Sequence, residues 1–300
     1  MKRKIKLALM GGDLRQLVVA RELAKIYEVG VWGAWGTQEI EGVTVCAAPE
    51  QAIADADAVI LPLPSSTDGI TLNCPGDLSC NRIKLAKIVG LMREGMLLVG
   101  GKLPETLINV AQSKKIKCFD YFNCETLQIK NAYITAEAAL SIAMNSLGKS
   151  IADSRFVITG YGRIASQLAA LLRKLGASVT VAARKESDRA YAECIGCDSL
   201  AIRAANERGK WYDTITRDYD VLFNTVPNWL FDRDFLEALD KKTFIIDLAS
   251  APGGVDVCAA KELSANVLWA TSLPGKYAHE SAGKIISDCV KNILEEELEL

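Results

Sequence analysis

The chain has 300 residues, half of them hydrophobic, and its 35 Lys and Arg against 37 Asp and Glu leave a formal net charge of −2. That length accommodates two domains of ordinary size with substantial cores. The absence of any basic block argues against nucleic acid as a partner, and no apolar run approaches a membrane span. The opening stretch MKRKIKLALMGGD is too short for a signal peptide and reads as a basic lead-in to a first strand. The nine cysteines are odd in number and scattered. Cys194 and Cys197 have CxxC spacing, but no second pair or nearby histidine supports a metal site, and a reducing cytosol is the expected setting.

Strands are predicted at Ile5–Met10, Val29–Gly33, Ala58–Pro64, Met96–Gly100 and Lys117–Tyr121, with helices at Leu14–Tyr27, Ile83–Met92 and Glu105–Ser113 between them. This alternation predicts an open, parallel α/β sheet of flavodoxin or Rossmann type over residues 1–134. A connector helix is expected at 135–149. It leads into a second α/β module, 135–279, with strands at Arg155–Thr159, Ser178–Ala183, Ser199–Ile202, Asp220–Asn224, Thr243–Ala249 and Asn266–Ala270. A last helix, about 280–298, is expected to pack back on the first domain, placing an active-site cleft between two doubly wound domains. Its acidic end, Glu295–Leu300, opposes the helix dipole and predicts fraying.

The second module opens with a nucleotide-binding pattern. The strand Arg155–Thr159 runs into Gly160-Tyr161-Gly162-Arg163-Ile164-Ala165, and Ile164, Leu168, Leu171, Leu172 and Leu175 then recur at helical spacing. Gly160 suits a tight turn, Gly162 admits a pyrophosphate close to the backbone, and Ala165 allows close helix–strand packing. The helix N-terminus supplies N–H groups and a positive dipole end for phosphates. At the end of the next strand, where a carboxylate would select the free ribose of NAD, stand Arg184 and Lys185. A guanidinium suits a 2′-phosphate, so NADP is favoured over NAD. The alternative is that these two cations begin a solvated helix and Glu186 or Asp188 reaches the ribose.

Ligands of open α/β sheets bind beyond the carboxyl ends of strands. In the module those ends carry Asn224-Thr225-Val226-Pro227, expected beside the nicotinamide ribose, then Asp247-Leu248-Ala249-Ser250 and Ser272-Leu273-Pro274-Gly275. Asp247 either caps its own turn or contacts cofactor or substrate. In the first domain the ends carry Gly11–Arg15, the loop Ser65–Cys80, Gly100-Gly101-Lys102 and the loop Phe122–Tyr133. Arg15, Lys102 and Lys276, with Ser65, Ser66, Thr67 and Ser250, suit a carboxylate-bearing substrate. His279 is the single histidine and a candidate proton shuttle. D-2-hydroxyacid dehydrogenases share this plan and also place a histidine after the last strand. They carry a substrate arginine in an Arg-Gly-Gly-like turn after the fifth strand, where this chain has Ser250-Ala251-Pro252-Gly253-Gly254. A rival of another class is an NADP(H)-binding redox sensor that turns nothing over, with the loop 65–80 as its lid or partner surface.

Taken together, GGDLRQ at 11–16, AEAAL at 136–140, GYGRIA at 160–165, VAARK at 181–185, NTVP at 224–227, DLASAPGGVD at 247–256 and LPGKYAHESAG at 273–283 resemble the A subunit of dipicolinate synthase. The resemblance covers essentially the whole chain and is carried chiefly by the last two motifs. It implies a cytoplasmic enzyme of sporulating bacteria, active in the mother cell. Such an enzyme oxidises a dihydro- or hydroxytetrahydro-dipicolinate of the lysine pathway to pyridine-2,6-dicarboxylate with NADP+, beside a flavoprotein-like B subunit. The dicarboxylate would be held by Arg15, Lys102, Ser65, Ser66, Pro274 and Gly275. The family pattern has proline where His279 stands, so the proton falls to His279, Glu125, Glu137, Asp247 or solvent, with Lys102 a further catalytic candidate. Two-domain enzymes of this plan are often homodimers.

Overall fold

The computed structural model describes residues 4–33, 40–75, 83–202, 212, 215 and 218–298. Two compact units divide the chain, one comprising Met1–Asn131 with Gly275–Leu300 and the other Ala132–Pro274.

The first unit contains β1 (Lys6–Met10), α1 (Leu14–Ala24), β2 (Glu28–Trp32), β3 (Val43–Val45), α2 (Pro49–Ile53), β4 (Ala58–Ile60), α3 (Leu85–Leu91), β5 (Leu97–Gly100), α4 (Glu105–Ser113) and β6 (Lys117–Asp120). Its sheet is entirely parallel, in the order β3-β2-β1-β4-β5-β6. β3 was not among the expected strands. It is a three-residue edge strand whose side chains are exposed or half-buried, so it lacks the apolar run that marks a buried parallel strand.

The helix expected at 135–149 is longer at its start. α5 runs Glu125–Ser146, and the expected loop Phe122–Tyr133 is instead a 3-10 turn at Tyr121–Asn123 followed by the first turns of this helix. No glycine or proline interrupts residues 125–146, and Leu127, Ala132 and Ile134 are buried among polar neighbours. Residues Glu125–Asn131 of α5 belong to the first unit and the remainder to the second.

The second unit adds β7 (Arg155–Thr159), α6 (Arg163–Lys174), β8 (Ser178–Ala183), α7 (Glu186–Cys194), β9 (Asp198–Ala201), β10 (Val221–Asn224), α8 (Arg233–Ala238), β11 (Phe244–Asp247), α9 (Val257–Glu262) and β12 (Val267–Trp269). Its parallel sheet runs β12-β11-β10-β7-β8-β9, the same winding as the first: strand order reverses beside the opening strand. Ala165, Leu168, Ala169 and Leu172 form the buried stripe of α6, each leucine worth roughly 1.5–3 kcal/mol on burial. Phe156 and Phe223 stack beneath them with centroids 6.0 Å apart. A five-residue helix, α10 (Leu273–Tyr277), precedes α11 (His279–Glu297). Among the described residues, no helix is long and apolar enough to cross a membrane.

Within the first unit, α11 packs on α1 at very close range. A Cβ added at Gly283 would lie 2.5 Å from Val18 Cβ and 2.9 Å from the Arg15 carbonyl oxygen. Alanine in a helix interior ordinarily gains about 1 kcal/mol over glycine, but overpacking against a fixed carbonyl costs about 1–3 kcal/mol. Gly283→Ala is therefore expected to lower stability in urea unfolding. An unchanged or raised midpoint would show that the two helices do not meet this closely.

Candidate functional site

At the carboxyl edge of the first sheet, Asp13 caps α1, its Oδ1 accepting the Arg15 N–H at 3.0 Å. The Arg15 side chain is buried. Its Nε donates to Asp13 Oδ1 at 2.9 Å, and its Nη2 donates to Asp13 Oδ2 at 2.7 Å and to the Leu63 carbonyl at 2.5 Å. The sequence suggested an open cation here. Instead Arg15 is a brace between the loops after β1 and β4, its charge already met by Asp13. Gly275 rests on that pair: a Cβ there would be 2.9 Å from Arg15 Nε and 3.0 Å from Asp13 Oδ2. Pro274 is buried in α10. Both residues proposed from sequence as substrate contacts thus have packing roles.

Ser65 and Ser66 are likewise engaged within the chain. Ser65 Oγ donates to the Lys102 carbonyl at 3.0 Å, and Ser66 Oγ donates to Asp68 Oδ1 at 2.8 Å. Asp68 also accepts from the Thr71 hydroxyl and from the N–H groups of Ile70 and Thr71, which hold its carboxyl well below the ordinary carboxylate range. These contacts tie down Ser65 to Thr71 of the proposed lid or partner surface, whereas its residues 76–80 lie outside the described residues. Lys102 is exposed, with Nζ 4.7 Å from the centroid of the Phe122 ring. Tyr121 beneath is buried, its hydroxyl donating to the Leu61 carbonyl, and burial raises its pKa strongly.

The proton-transfer candidates are dispersed along the helices. Glu125 opens α5 and Glu137 is exposed twelve residues further along the same helix, about 18 Å away along its axis. One substrate atom cannot be served by both. His279 is the half-buried first residue of α11. Among the described residues no group of acidic, cysteine or histidine side chains could hold a metal ion, and Cys194 and Cys197 are both free thiols.

The second sheet presents a glycine corner. Gly160 has φ +84°, and a Cβ there would stand 2.8 Å from Thr225 Oγ1, so only glycine turns the chain at this point. Gly162 precedes α6, caps it with no side chain, and has open space where a Cβ would stand. Arg163 and Ile164 form the first turn beside half-buried Tyr161, whose phenol pKa burial raises. This uncapped, unobstructed helix start fits a dinucleotide pyrophosphate.

Beyond β8, Arg184 and Lys185 are exposed. Arg189, which belongs to no recognisable motif, donates from Nη1 to the carbonyls of Ala183 at 3.1 Å and Arg184 at 3.0 Å, bracing the turn that displays them. Glu186 and Asp188 lie in the first turn of α7.

Asn224 and Asp247 differ from a ligand-contact role. Both are buried, and they form a row across the ends of β7, β10 and β11. Thr159 Oγ1 donates to Asn224 Oδ1 at 2.7 Å, and Asn224 Nδ2 donates to Asp247 Oδ1 at 2.8 Å. Asp247 also accepts the N–H groups of Ala249 at 3.0 Å and Gly254 at 2.8 Å, so of the two readings left open it caps its own turn. Gly254 approaches so closely that a Cβ would be 2.2 Å from Asn224 Nδ2. Thr225 Oγ1 donates to the Thr159 carbonyl at 2.7 Å, Val226 is half-buried, and Pro227 and Ser250 are exposed at the rim.

Removing the Asp247 carboxylate would leave the buried N–H groups of Ala249 and Gly254 and one N–H of the Asn224 amide, whose other N–H reaches the Val226 carbonyl, without acceptors, each costing about 1–3 kcal/mol. Asp247→Ala is expected to lose at least about 3 kcal/mol in urea unfolding, with Asp247→Asn losing less. Stability within a few tenths of a kcal/mol of the parent would remove the structural role.

Residues 6–122 match the family described as the N-terminal domain of the dipicolinate synthase A subunit. The A subunit of dipicolinate synthase from Bacillus subtilis strain 168 is 29% identical over 299 residues, covering 97% of this chain and 96% of that protein. The crystal structure of the B. subtilis protein superimposes with a TM-score of 0.82 at 26% identity, covering 100% of this chain and 98% of the other. That of the A subunit from Bacillus halodurans gives 0.84 at 25% identity, with 97% of each chain covered. A transhydrogenase from Sinorhizobium meliloti gives 0.64 at 14% identity, covering 98% of this chain and 95% of the other, which is a likeness of fold alone. The resemblance carried by the scattered motifs therefore holds over the whole length in both sequence and fold: the chain is similar from end to end to the dipicolinate synthase A subunit.

Proposed function

We propose that this chain is an NADP-dependent oxidoreductase that converts a dihydro- or hydroxytetrahydro-dipicolinate to dipicolinate. It acts beside a B subunit, a reading supported by its similarity to the A subunit of a synthase. The observation that carries this reading is the full-length likeness to the dipicolinate synthase A subunit. The dinucleotide, when bound, supplies the hydride acceptor. This chain's part is to bind and orient. The start of α6 meets the pyrophosphate, and Arg184 and Lys185, in the turn braced by Arg189, meet the adenosine 2′-phosphate. The rim at Thr225–Pro227 and Ala249–Ser250 lines the nicotinamide end. From dihydrodipicolinate, hydride leaves one ring carbon and a proton leaves its neighbour. Formation of the aromatic ring provides the driving force, so a strongly basic residue is not required and the proton passes to His279, to one of the two α5 glutamates, or to solvent.

The test is NADPH absorbance on mixing the chain with freshly made dihydrodipicolinate and NADP+, with and without the B subunit. Formation of NADPH and dipicolinate is expected, and no signal in either mixture would overturn the assignment. Arg184→Ala is expected to weaken NADP+ binding about ten- to a hundredfold, the worth of a charge-assisted contact, while leaving NAD+ nearly unchanged. Equal losses for the two dinucleotides would place the 2′-phosphate elsewhere.

A further inference from the structure

Lys102 has a backbone conformation that its residue type does not explain. Its φ is +54°, in the left-handed region that is costly for any residue with a Cβ. Four other non-glycine residues share that conformation: Lys115 and Ser264 each directly follow the C-cap of a helix, where a left-handed residue is a common way to end it, and Asp218 and Ser272 stand in the turns before β10 and α10. Lys102 ends no helix. It follows Gly100 and Gly101, neither of which has positive φ. Those two are glycine for lack of room, since a Cβ on Gly100 would stand 2.6 Å from Leu103 Cδ2 and one on Gly101 2.7 Å from Leu63 Cδ1 and Tyr121 Cε2. Glycine thus stands where space demands it, and lysine stands where φ favours glycine.

The strained position is held chiefly by one carboxylate. Asp120, at the end of β6 and in register with Gly100, accepts the Lys102 N–H at 2.9 Å, the Leu103 N–H at 2.9 Å and the Phe122 N–H at 2.8 Å. Ser65 Oγ holds the Lys102 carbonyl from the other side. Asp120 therefore fixes both the backbone of Lys102 and that of Phe122, the ring over which its ammonium lies. Among the described residues no carboxylate lies within ion-pair distance of Lys102 Nζ, in contrast to Arg15 on the same sheet edge. The result is an exposed cation, pinned at its backbone and steadied by an aromatic face, with its charge left for an external anion.

We propose that Lys102 binds a carboxylate of a small dicarboxylate at the end of β5, and that Asp120 is the positioning residue that holds it there. The ligand class rests on the function proposed above. The test is calorimetric binding of dipicolinate to the full chain, paired with thermal unfolding, for Lys102→Gly, Asp120→Ala, Asp120→Asn and the Lys102→Gly/Asp120→Ala double variant. Lys102→Gly is expected to melt no lower than the parent, because the strain is relieved, yet to bind dipicolinate at least tenfold more weakly. The Asp120 variants are expected to bind more weakly too, and Asp120→Ala should add no further loss of affinity in the Lys102→Gly background. A residue of merely structural importance would reduce affinity equally in both backgrounds.

Undiminished binding by Lys102→Gly, or an Asp120 effect that persists without the lysine, would overturn the inference while leaving the function standing. If Asp120→Ala does not fold, Lys102→Gly and Asp120→Asn still decide. A parent chain that binds no dipicolinate would overturn the inference and the proposed substrate together.

Discussion

Three adjacent strand ends of the second sheet are tied by one hydrogen-bonded row, from Thr159 to Asn224 to Asp247, and the geometry of the glycine corner beside them depends on it. The row crosses the point where strand order reverses, between β7 and β10. Parallel strands finish here with backbone N–H groups that have no further strand to pair with, and the interior offers no bulk water to meet them. Asn224 and Asp247 take up those of Val226, Ala249 and Gly254. The turns after β10 and β11 are thereby drawn down onto the sheet, and the glycine corner beside them is left open. The side chains most central to this region are therefore scaffold, and the surface left open beside them consists of backbone and rim residues.

The first sheet applies the same solution with a different outcome. Asp120 gathers three N–H groups from the loops after β5 and β6, and Asp13 gathers the backbone and guanidinium of Arg15. Carboxylates buried or half-buried at strand ends thus decide which cations are neutralised and which are available. Arg15 is compensated at 2.7 Å and lies inside the fold. Lys102, Arg184 and Lys185 are exposed, with no ion-pair partner among the described residues. A chain of net charge −2 can hold anionic ligands only where cations are locally uncompensated in this way.

Much of the architecture was legible because it rests on local pattern. Short apolar β-branched runs such as Phe156–Thr159 and Val179–Val181 read as buried strands, and the 3.6-residue stripe of α6 follows at once on two glycines. β3 escaped because an exposed edge strand carries no such signal. The start of α5 escaped because its first three turns are half polar. Site chemistry was less legible for a related reason. A sequence shows that Arg15 and Asp247 follow strands, but whether their charges are neutralised depends on partners such as Leu63 and Gly254, which lie 48 and 7 residues away. Asp120 and Arg189 give little sequence signal of their roles because their partners are backbone groups, which no motif displays. The CFDYFN stretch around Asp120 did contain one clue, an aspartate at a strand end where an N-cap is often placed.

We propose that this fold holds a phosphorylated dinucleotide at the second sheet and a dicarboxylate at the first. A crystal structure with NADP+ and dipicolinate tests it most directly. The expected result has the adenosine 2′-phosphate beside Arg184 and Lys185, the pyrophosphate against the first turn of α6, and one dipicolinate carboxylate on Lys102 Nζ. A nucleotide bound away from Gly160–Ile164, or a dipicolinate that ignores Lys102, would contradict it.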